Sequence, residues 1–440
     1  MGLSGDLVMG GVKRVYIATW GNPLEWRAVS YKCTDEDLCG SRERECRDTY
    51  SSIKCMSNAD IYVIYVLDSV ITASAGQQNP KAVECARKYS LCANNECSKL
   101  APPSRVGDLS GWRDLVKGYI ECIVRELLGD TRNVRVVVTS LRGRLGDWEF
   151  AGGNSPDLIA SELLVGLWNS IKDLITDDER LYLFLDVTHG INFMPTLTYQ
   201  MTRYIATLAL IKGAGEVFIR VYNALPGSFE VIKLIYENMR QLVLPQEVTD
   251  EVVKALSYGA LAVIPKVLSR NGACRENHIN FQVDAEINHG ERKVKYEHKG
   301  DIKPYNVYSK LIEEVLCGDN VFRQAVGRGG VIKLRDLMNH RLIDKLSDVA
   351  RVVIQDELND MYNAISKAVN LGLRVYDNYY SDIILPMCHE GFPRQCKCVG
   401  KEDMRNFIAH AGLLKNCTKI VKCDDDYCIA IDDEVLKCLK

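Results

Sequence analysis

Residues 181–192 read LYLFLDVTHGIN. Positions 181–187 are apolar except for Asp186. An uninterrupted apolar run of strand length suits a parallel strand covered on both faces, rather than one with a wet side. The run passes directly into Thr188, His189, Gly190, Ile191 and Asn192. In an open α/β sheet, ligands bind beyond the carboxyl ends of the strands. The stretch therefore predicts a fold class and also the edge of the sheet where a ligand lies.

Working outward, similar apolar runs occupy 12–19, 61–67, 134–139 and 216–222. Helical patterns fill 112–128, 156–175 and 195–211, with Pro156 and Pro195 where a first turn tolerates proline. This alternation predicts a doubly wound α/β domain. At 440 residues the chain is too long for one core, and the pattern changes near residue 240. Beyond it, 248–268, 305–316 and 349–371 read as helices. In the last, Ile354, Leu358, Met361, Ile365 and Val369 recur on one face. Residues 277–285 and 292–299 alternate with period two around a turn at 288–291. They predict a β-hairpin inserted, at about 275–302, into a helical second domain.

The strand ends of the first half carry small, polar and aromatic residues: Trp20, Gly21, Asn22 and Pro23, with Trp26 close behind, then Asp68 and Ser69, then Thr139 and Ser140. With Asp186, Thr188, His189, Gly190, Ile191 and Asn192 they make one rim. Glycine lets backbone N–H groups approach a phosphate, and hydroxyl and amide groups donate to it. A helix beginning near Phe193 presents its N-terminus to the same place, and a tryptophan offers a face on which a base stacks. Turn chemistry alone explains Gly, Asn or Asp at a single strand end, and a lone Trp26 fills a core as readily as it stacks. The run from Asp186 to Asn192 exceeds what a turn needs. No Gly-x-Gly-x-x-Gly follows the first strand and no Gly-x-x-x-x-Gly-Lys-Ser/Thr occurs, so ordinary dinucleotide and P-loop binding fit poorly.

In the second half, Asp403-Met404-Arg405-Asn406-Phe407-Ile408-Ala409-His410 reads as a helix ending at Ala411-Gly412. Asn406 and His410 fall on one face, and the long Arg405 side chain swings toward it. The trio suits RNA cleavage without metal. RNA brings its own 2′-OH nucleophile, histidine moves protons near neutral pH, and arginine stabilises charge on phosphate. A solvated helix face with an incidental Arg and His is the plainer alternative.

Composition narrows the classes. A formal charge of −3 argues against a protein that coats long nucleic acid, so RNA contact is expected in a cleft. No leader-like or membrane-spanning apolar run is visible, which points to the cytoplasm. Seventeen cysteines are many for that compartment. Disulfides, free buried thiols and a metal site remain open, although no Cys-x-x-Cys pair occurs and the Cys-x-Cys of Cys396 and Cys398 is weak.

Three blocks in this order carry a resemblance: Thr19-Trp20-Gly21-Asn22-Pro23, the run from Asp186 through Phe193, and Arg405-Asn406-Phe407-Ile408-Ala409-His410. The chain resembles the CRISPR-associated ribonucleases of type III systems that join a CARF sensor to a HEPN nuclease. The resemblance implies a Rossmann-like CARF domain over 1–240 and an all-α HEPN domain over 241–440. It implies a homodimer, or an oligomer of dimers, with a cyclic oligoadenylate (cyclic tetra-adenylate above all) bound across the sensor pair. Single-stranded RNA is the expected substrate, with no cofactor, no metal and no membrane partner. Arg405, Asn406 and His410 would be catalytic. A non-catalytic ligand-sensing regulator, and a sensor that mainly degrades its own activator, are the competing readings.

Overall fold

A computed structural model describes residues 11–440 except 41–43, 56–58, 77, 130–132, 153–154, 192, 246–248, 276–278, 280, 385–395, 399–400 and 425. The chain divides into two compact units. The first holds residues up to 209, with 213–239 and 280–304. The second holds 210–212, 240–279 and 305–440.

The first unit is built on an eight-stranded sheet of β1 (Val12–Trp20), β2 (Val29–Cys33), β3 (Arg44–Thr49), β4 (Ile61–Leu67), β5 (Val134–Thr139), β8 (Arg180–Asp186), β9 (Glu216–Ala224) and β10 (Glu230–Met239). Their order is β3-β2-β10-β9-β8-β1-β4-β5. The five strands from β5 to β9 are mutually parallel, as their apolar runs predict. Helices α1 (Glu36–Cys39), α2 (Pro80–Lys88), α3 (Leu109–Leu128), α4 (Ser155–Ile171) and α5 (Met194–Lys212) lie between the strands in sequence. Both faces of β4 are covered. Ile64 and Val66 join a buried cluster with Trp112, Val116 and Ile120 of α3. Tyr65 points the other way and donates to the Leu163 carbonyl of α4 at 2.8 Å. From β1 the chain builds outward through β4 and β5 on one side, then through β8 and β9 on the other. The order therefore reverses beside β1, the switch point where α/β sheets open a crevice.

A second sheet departs from expectation. The hairpin β11 (Gln282–Asn288) and β12 (Lys293–Lys299) forms as predicted, but it is not part of the helical unit. It pairs with the short strands β6 (Gly143–Leu145) and β7 (Trp148–Gly152) in the order β11-β12-β7-β6, inside the first unit. The reason is burial: Val294 and Tyr296 face the core of α3 rather than solvent.

The second unit is mainly helical: α6 (Glu251–Ser257), α7 (Ile264–Arg270), α8 (Pro304–Gly318), α9 (Asn320–Gly327), α10 (Leu334–Met338), α11 (Asp348–Asn370), α12 (Tyr380–Ile384) and α13 (Lys401–Ala409). The single helix expected over 248–268 is broken. The backbone at Gly259 is left-handed and Pro265 starts a new helix, neither of which a continuous helix accommodates. On α11, capped by the Ser347 side chain, Ile354, Leu358, Met361 and Ile365 are buried, but Ala368 completes the stripe. Val369, at the stripe's edge in the last turn, is exposed. Sequence reading also missed a small sheet in the order β13-β16-β15-β14: β13 (Ile332–Lys333), β14 (Asn378–Tyr379), β15 (Thr418–Cys423) and β16 (Asp426–Ile431).

The cysteines pair as Cys33–Cys39, Cys46–Cys55, Cys85–Cys122, Cys92–Cys97, Cys274–Cys317, Cys396–Cys417, Cys398–Cys438 and Cys423–Cys428. Only Cys388 lies outside the described residues. Among the described residues no helix is long and apolar enough to cross a membrane.

Candidate functional sites

Each unit carries one site. In the first, the loops after β1 and β8 meet at the switch point: the Gly21 N–H donates to the His189 carbonyl at 2.8 Å. Asp186 organises the β8 loop from below. Its carboxylate accepts from the Tyr16 hydroxyl at 2.5 Å, from the Ser52 hydroxyl, and from the Thr188 N–H at 2.9 Å. The Thr188 hydroxyl oxygen in turn accepts from the Ala224 N–H at 3.0 Å, tying the loop to β9. Gly190 closes the turn. A Cβ there would stand 2.4 Å from the Thr19 hydroxyl oxygen and 2.5 Å from the Pro195 ring, so only glycine fits.

His189 is held between two aromatics. Its ring stacks on Trp26, with centroids 4.3 Å apart, and its Nε2 lies 3.1 Å from the Tyr31 hydroxyl. Burial pushes the imidazole down to about 4, against the opposing pull of Asp186. Burial also holds the Tyr31 hydroxyl well above its usual value. At neutral pH a protonated tyrosine therefore donates to a neutral imidazole, which leaves Nδ1 as the nitrogen with a proton to offer.

The other rim residues divide. Trp20 is buried edge-on against Trp26, and the Asn22 side chain caps the short turn at Leu24 and donates to the Ser74 carbonyl. Pro23 and Thr139 are buried, and the Thr139 hydroxyl donates to the Val66 carbonyl. Asp68 is turned into the interior. Trp20, Pro23, Asp68 and Thr139 hold the rim from behind rather than facing outward, while Asn22 reaches the surface in part. Trp26 is buried beneath His189, whereas Thr188, His189, Gly190 and Ile191 reach the surface in part. Thr19 Oγ1 and Ser69 Oγ are buried with no hydrogen-bond partner among the described residues. Among the described residues no side chain caps the N-terminus of α5 beside this loop. Asn192 lies outside the described residues. Sequence reading missed Tyr16, Tyr31 and Ser52. Tyr16 was available as a tyrosine on β1, which borders the switch point; Tyr31 is on β2, three strands from β8, and nothing local marks it or Ser52.

In the second unit, α13 carries Arg405 and Asn406, both exposed, and His410 follows its last turn. Phe407 is the helix's buried anchor. The turn closes through the Gly412 N–H, which donates to the Phe407 carbonyl at 2.8 Å. Gly412 has φ of +76°, and a Cβ there would strike Val263 and Ala260. His410 Nδ1 lies 2.7 Å from Glu357 Oε1 on α11. Nδ1 is thereby occupied and Nε2 remains for a substrate. Glu357 was not anticipated. It sits at the margin of the buried stripe beside Leu358 and Met361, and a carboxylate there is the signal that could have found it. Arg405 makes no hydrogen bond or ion pair with a described residue. An imidazole fixed by a carboxylate, with an exposed guanidinium five residues earlier in the chain, is suited to anion binding and proton transfer.

Two family models match this chain. Residues 15–226 match the family model for the CARF domain of the CRISPR system endoribonuclease Csx1, and residues 347–432 match the model for its HEPN domain. The CRISPR system endoribonuclease Csx1 of Methanocaldococcus jannaschii is 22% identical over 453 aligned positions, covering 93% of this chain and 87% of that protein. The matched spans coincide with the parallel sheet and with the helices that bring Glu357 to His410. The chain belongs to the CRISPR-associated ribonucleases that join a CARF sensor domain to a HEPN nuclease domain.

Proposed function

We propose that this endoribonuclease cuts single-stranded RNA in the cytoplasm without a metal or other cofactor, and that a cyclic oligoadenylate, cyclic tetra-adenylate in the first instance, switches it on. The observation that carries the reading is the Glu357–His410 contact, which holds the imidazole of a chain segment that also carries Arg405. Glu357 fixes the imidazole so that Nε2 meets the RNA. The 2′-OH attacks the adjacent phosphorus, the bond to O5′ breaks, and a 2′,3′-cyclic phosphate and a 5′-hydroxyl result. One proton leaves the 2′-OH and one is needed at O5′, while Arg405 stabilises the charge that builds on the phosphoryl oxygens.

A single histidine per chain is sparse for two proton transfers, and a homodimer with two His410 side chains facing one RNA supplies both. Val349 and Val352, three residues apart on the first turns of α11 and 76% and 52% exposed, offer apolar side chains for that pairing. In the sensor, neutral His189, Thr188, Asn192, the backbone around Gly190 and Ile191, and the N-terminus of α5 would hold the phosphates and ribose hydroxyls of the ring.

The test is cleavage of a single-stranded RNA in EDTA, with and without cyclic tetra-adenylate. Cleavage that requires the ring, spares DNA and leaves 2′,3′-cyclic phosphate ends is expected. Ends bearing 5′-phosphate, or activity lost with chelator, would overturn the metal-free chemistry. Cleavage indifferent to the ring would overturn the switch.

A further inference from the structure

In sequence, residues 282–299 stand between two helices of the second unit, yet the hairpin they form is built into the first. β12 runs parallel to β7, from Lys293 opposite Glu149 to Tyr296 opposite Gly152. The Tyr296 ring is buried with Trp112, Trp148 and Phe150. Its hydroxyl goes further in. It donates to Asp68 Oδ2 at 2.7 Å and accepts from the Leu141 N–H at 3.3 Å.

Asp68 is the first residue after β4 and has no exposed surface. Arg113 of α3 lies 3.9 Å from the same carboxylate oxygen. Arg113 donates to Glu162 Oε1 of α4 at 2.6 Å and to the Ser140 hydroxyl at 2.8 Å. The Ser140 N–H closes the circuit on Glu162 Oε2 at 2.8 Å. One buried polar network thus joins the ends of β4 and β5, the helices α3 and α4, and the inserted hairpin. Burial pushes Asp68 up to about 7 against the pull of Arg113. Asp68 Oδ1 and the neighbouring Ser69 Oγ have no partner among the described residues.

A buried ionic cluster stabilises a fold less than well-packed apolar side chains of equal volume. What distinguishes this one is its place: directly behind the strand ends, on the edge of the sheet where ligands bind. Downstream of β12 the chain is clamped once more. Ile302 is buried and its carbonyl accepts from the Ser161 hydroxyl of α4 at 2.9 Å. Pro304 then opens α8, a helix of the nuclease unit.

We propose that the inserted hairpin is the link through which a ligand at the strand ends acts on the nuclease unit, with Tyr296 reading the state of the Asp68 network. The proposal rests on the sensor reading given above. A ligand hydroxyl that enters past Ser69 to Asp68 competes with Tyr296 as donor to the carboxylate. The hairpin then shifts on β7, and the short segment from Ile302 to Pro304 carries that shift into α8. A ligand moves such an equilibrium only through contacts that differ between the two arrangements. The Tyr296–Asp68 bond is that differing contact.

Two variants of the full chain test it. Tyr296→Phe keeps the ring in the core and removes only the hydroxyl. The second inserts two glycines between Lys303 and Pro304, which leaves the hairpin's own contacts intact. For each, binding of fluorescent cyclic tetra-adenylate and cleavage of single-stranded RNA with and without saturating ring are measured. In Tyr296→Phe the contact that the ligand must displace is already gone, so unstimulated cleavage is expected to rise and the ring to bind at least as tightly as to wild type; in the glycine insertion both are expected to stay near wild type. Stimulation is expected to fall roughly fivefold or more, the scale of an allosteric coupling. Wild-type stimulation in both variants overturns the proposal. If Tyr296→Phe fails to fold, the glycine insertion decides alone. A wild-type protein that binds no ring, or binds it without stimulation, instead overturns the activator reading and the link with it.

Discussion

Replacing Glu357 by glutamine keeps the size of the side chain and removes its charge. Among the described residues Glu357 reaches only His410 Nδ1, at 2.7 Å, so the substitution removes a charge-assisted hydrogen bond without touching the groups that face RNA. Such bonds are worth about 1.5–3 kcal/mol when well enclosed. Here the histidine side chain is 37% exposed and the glutamate 17%, so solvent screening places the loss at the lower end. A barrier raised by about 1.4 kcal/mol slows cleavage roughly tenfold. The orienting role locates the loss in kcat, since an imidazole free to rotate meets the transition state less often, while KM for RNA stays unchanged. Single-turnover cleavage of a short single-stranded RNA, over a range of RNA concentrations at saturating activator, separates the two. Glu357→Asp, one methylene short, falls between wild type and Glu357→Gln. A Glu357→Gln protein that cleaves at the wild-type rate, or whose defect lies wholly in KM, refutes the orienting role.

Further outcomes follow from the same geometry. His410→Ala abolishes cleavage and Arg405→Ala nearly does so, while Asn406→Ala, whose side chain lies exposed on α13, weakens it less; all three keep activator binding, measured by titration. In the sensor, His189→Gln raises the ring concentration needed for half-maximal activation, with cleavage largely restored at saturation. His189 also sets a pH dependence. Its native pKa of about 4 lies below the unperturbed 6.5, so between those values the unfolded chain binds the extra proton and stability falls as the pH drops. Thermal unfolding followed from pH 7 to 4 should show a shallower decline in His189→Gln, and parallel curves would contradict the assignment. The Cys396–Cys417 bond encloses α13, a helix of nine residues with a single buried anchor. Replacing both cysteines by serine should destabilise the nuclease unit by about 2–4 kcal/mol and lower cleavage, with sensor binding intact. Unchanged denaturant midpoints would refute it.

Much of this molecule is local and was legible. The parallel strands show because both faces are buried, which forces an apolar run of strand length that no turn or surface helix produces. The three blocks that carry the resemblance are also local. The run from Asp186 to Asn192 must follow its strand directly to reach the crevice, and Arg405 and His410 must lie within two turns of one helix to share an edge. Edge elements were less legible. The pair β2 and β3 and the small sheet of the nuclease unit are short and cysteine-rich, so their alternation is weak. The hairpin signal across Asp424 and Asp426 was present but passed unread.

What only the tertiary structure decided is every pairing between distant parts of the chain. Glu357 meets His410 across 53 positions, Tyr16 meets Asp186 across 170, and Tyr296 meets Asp68 across 228. Residue type and periodicity state which side chains leave the solvent, but not which buried polar group finds which partner. That choice depends on how the strands order around β1 and on which core the hairpin enters. Sequence reading therefore counted Asp68 as a rim residue and the hairpin as part of the nuclease. Folding places both in one buried network, because an interior carboxylate needs a donor and the Tyr296 hydroxyl, on a strand 228 positions further along the chain, supplies it.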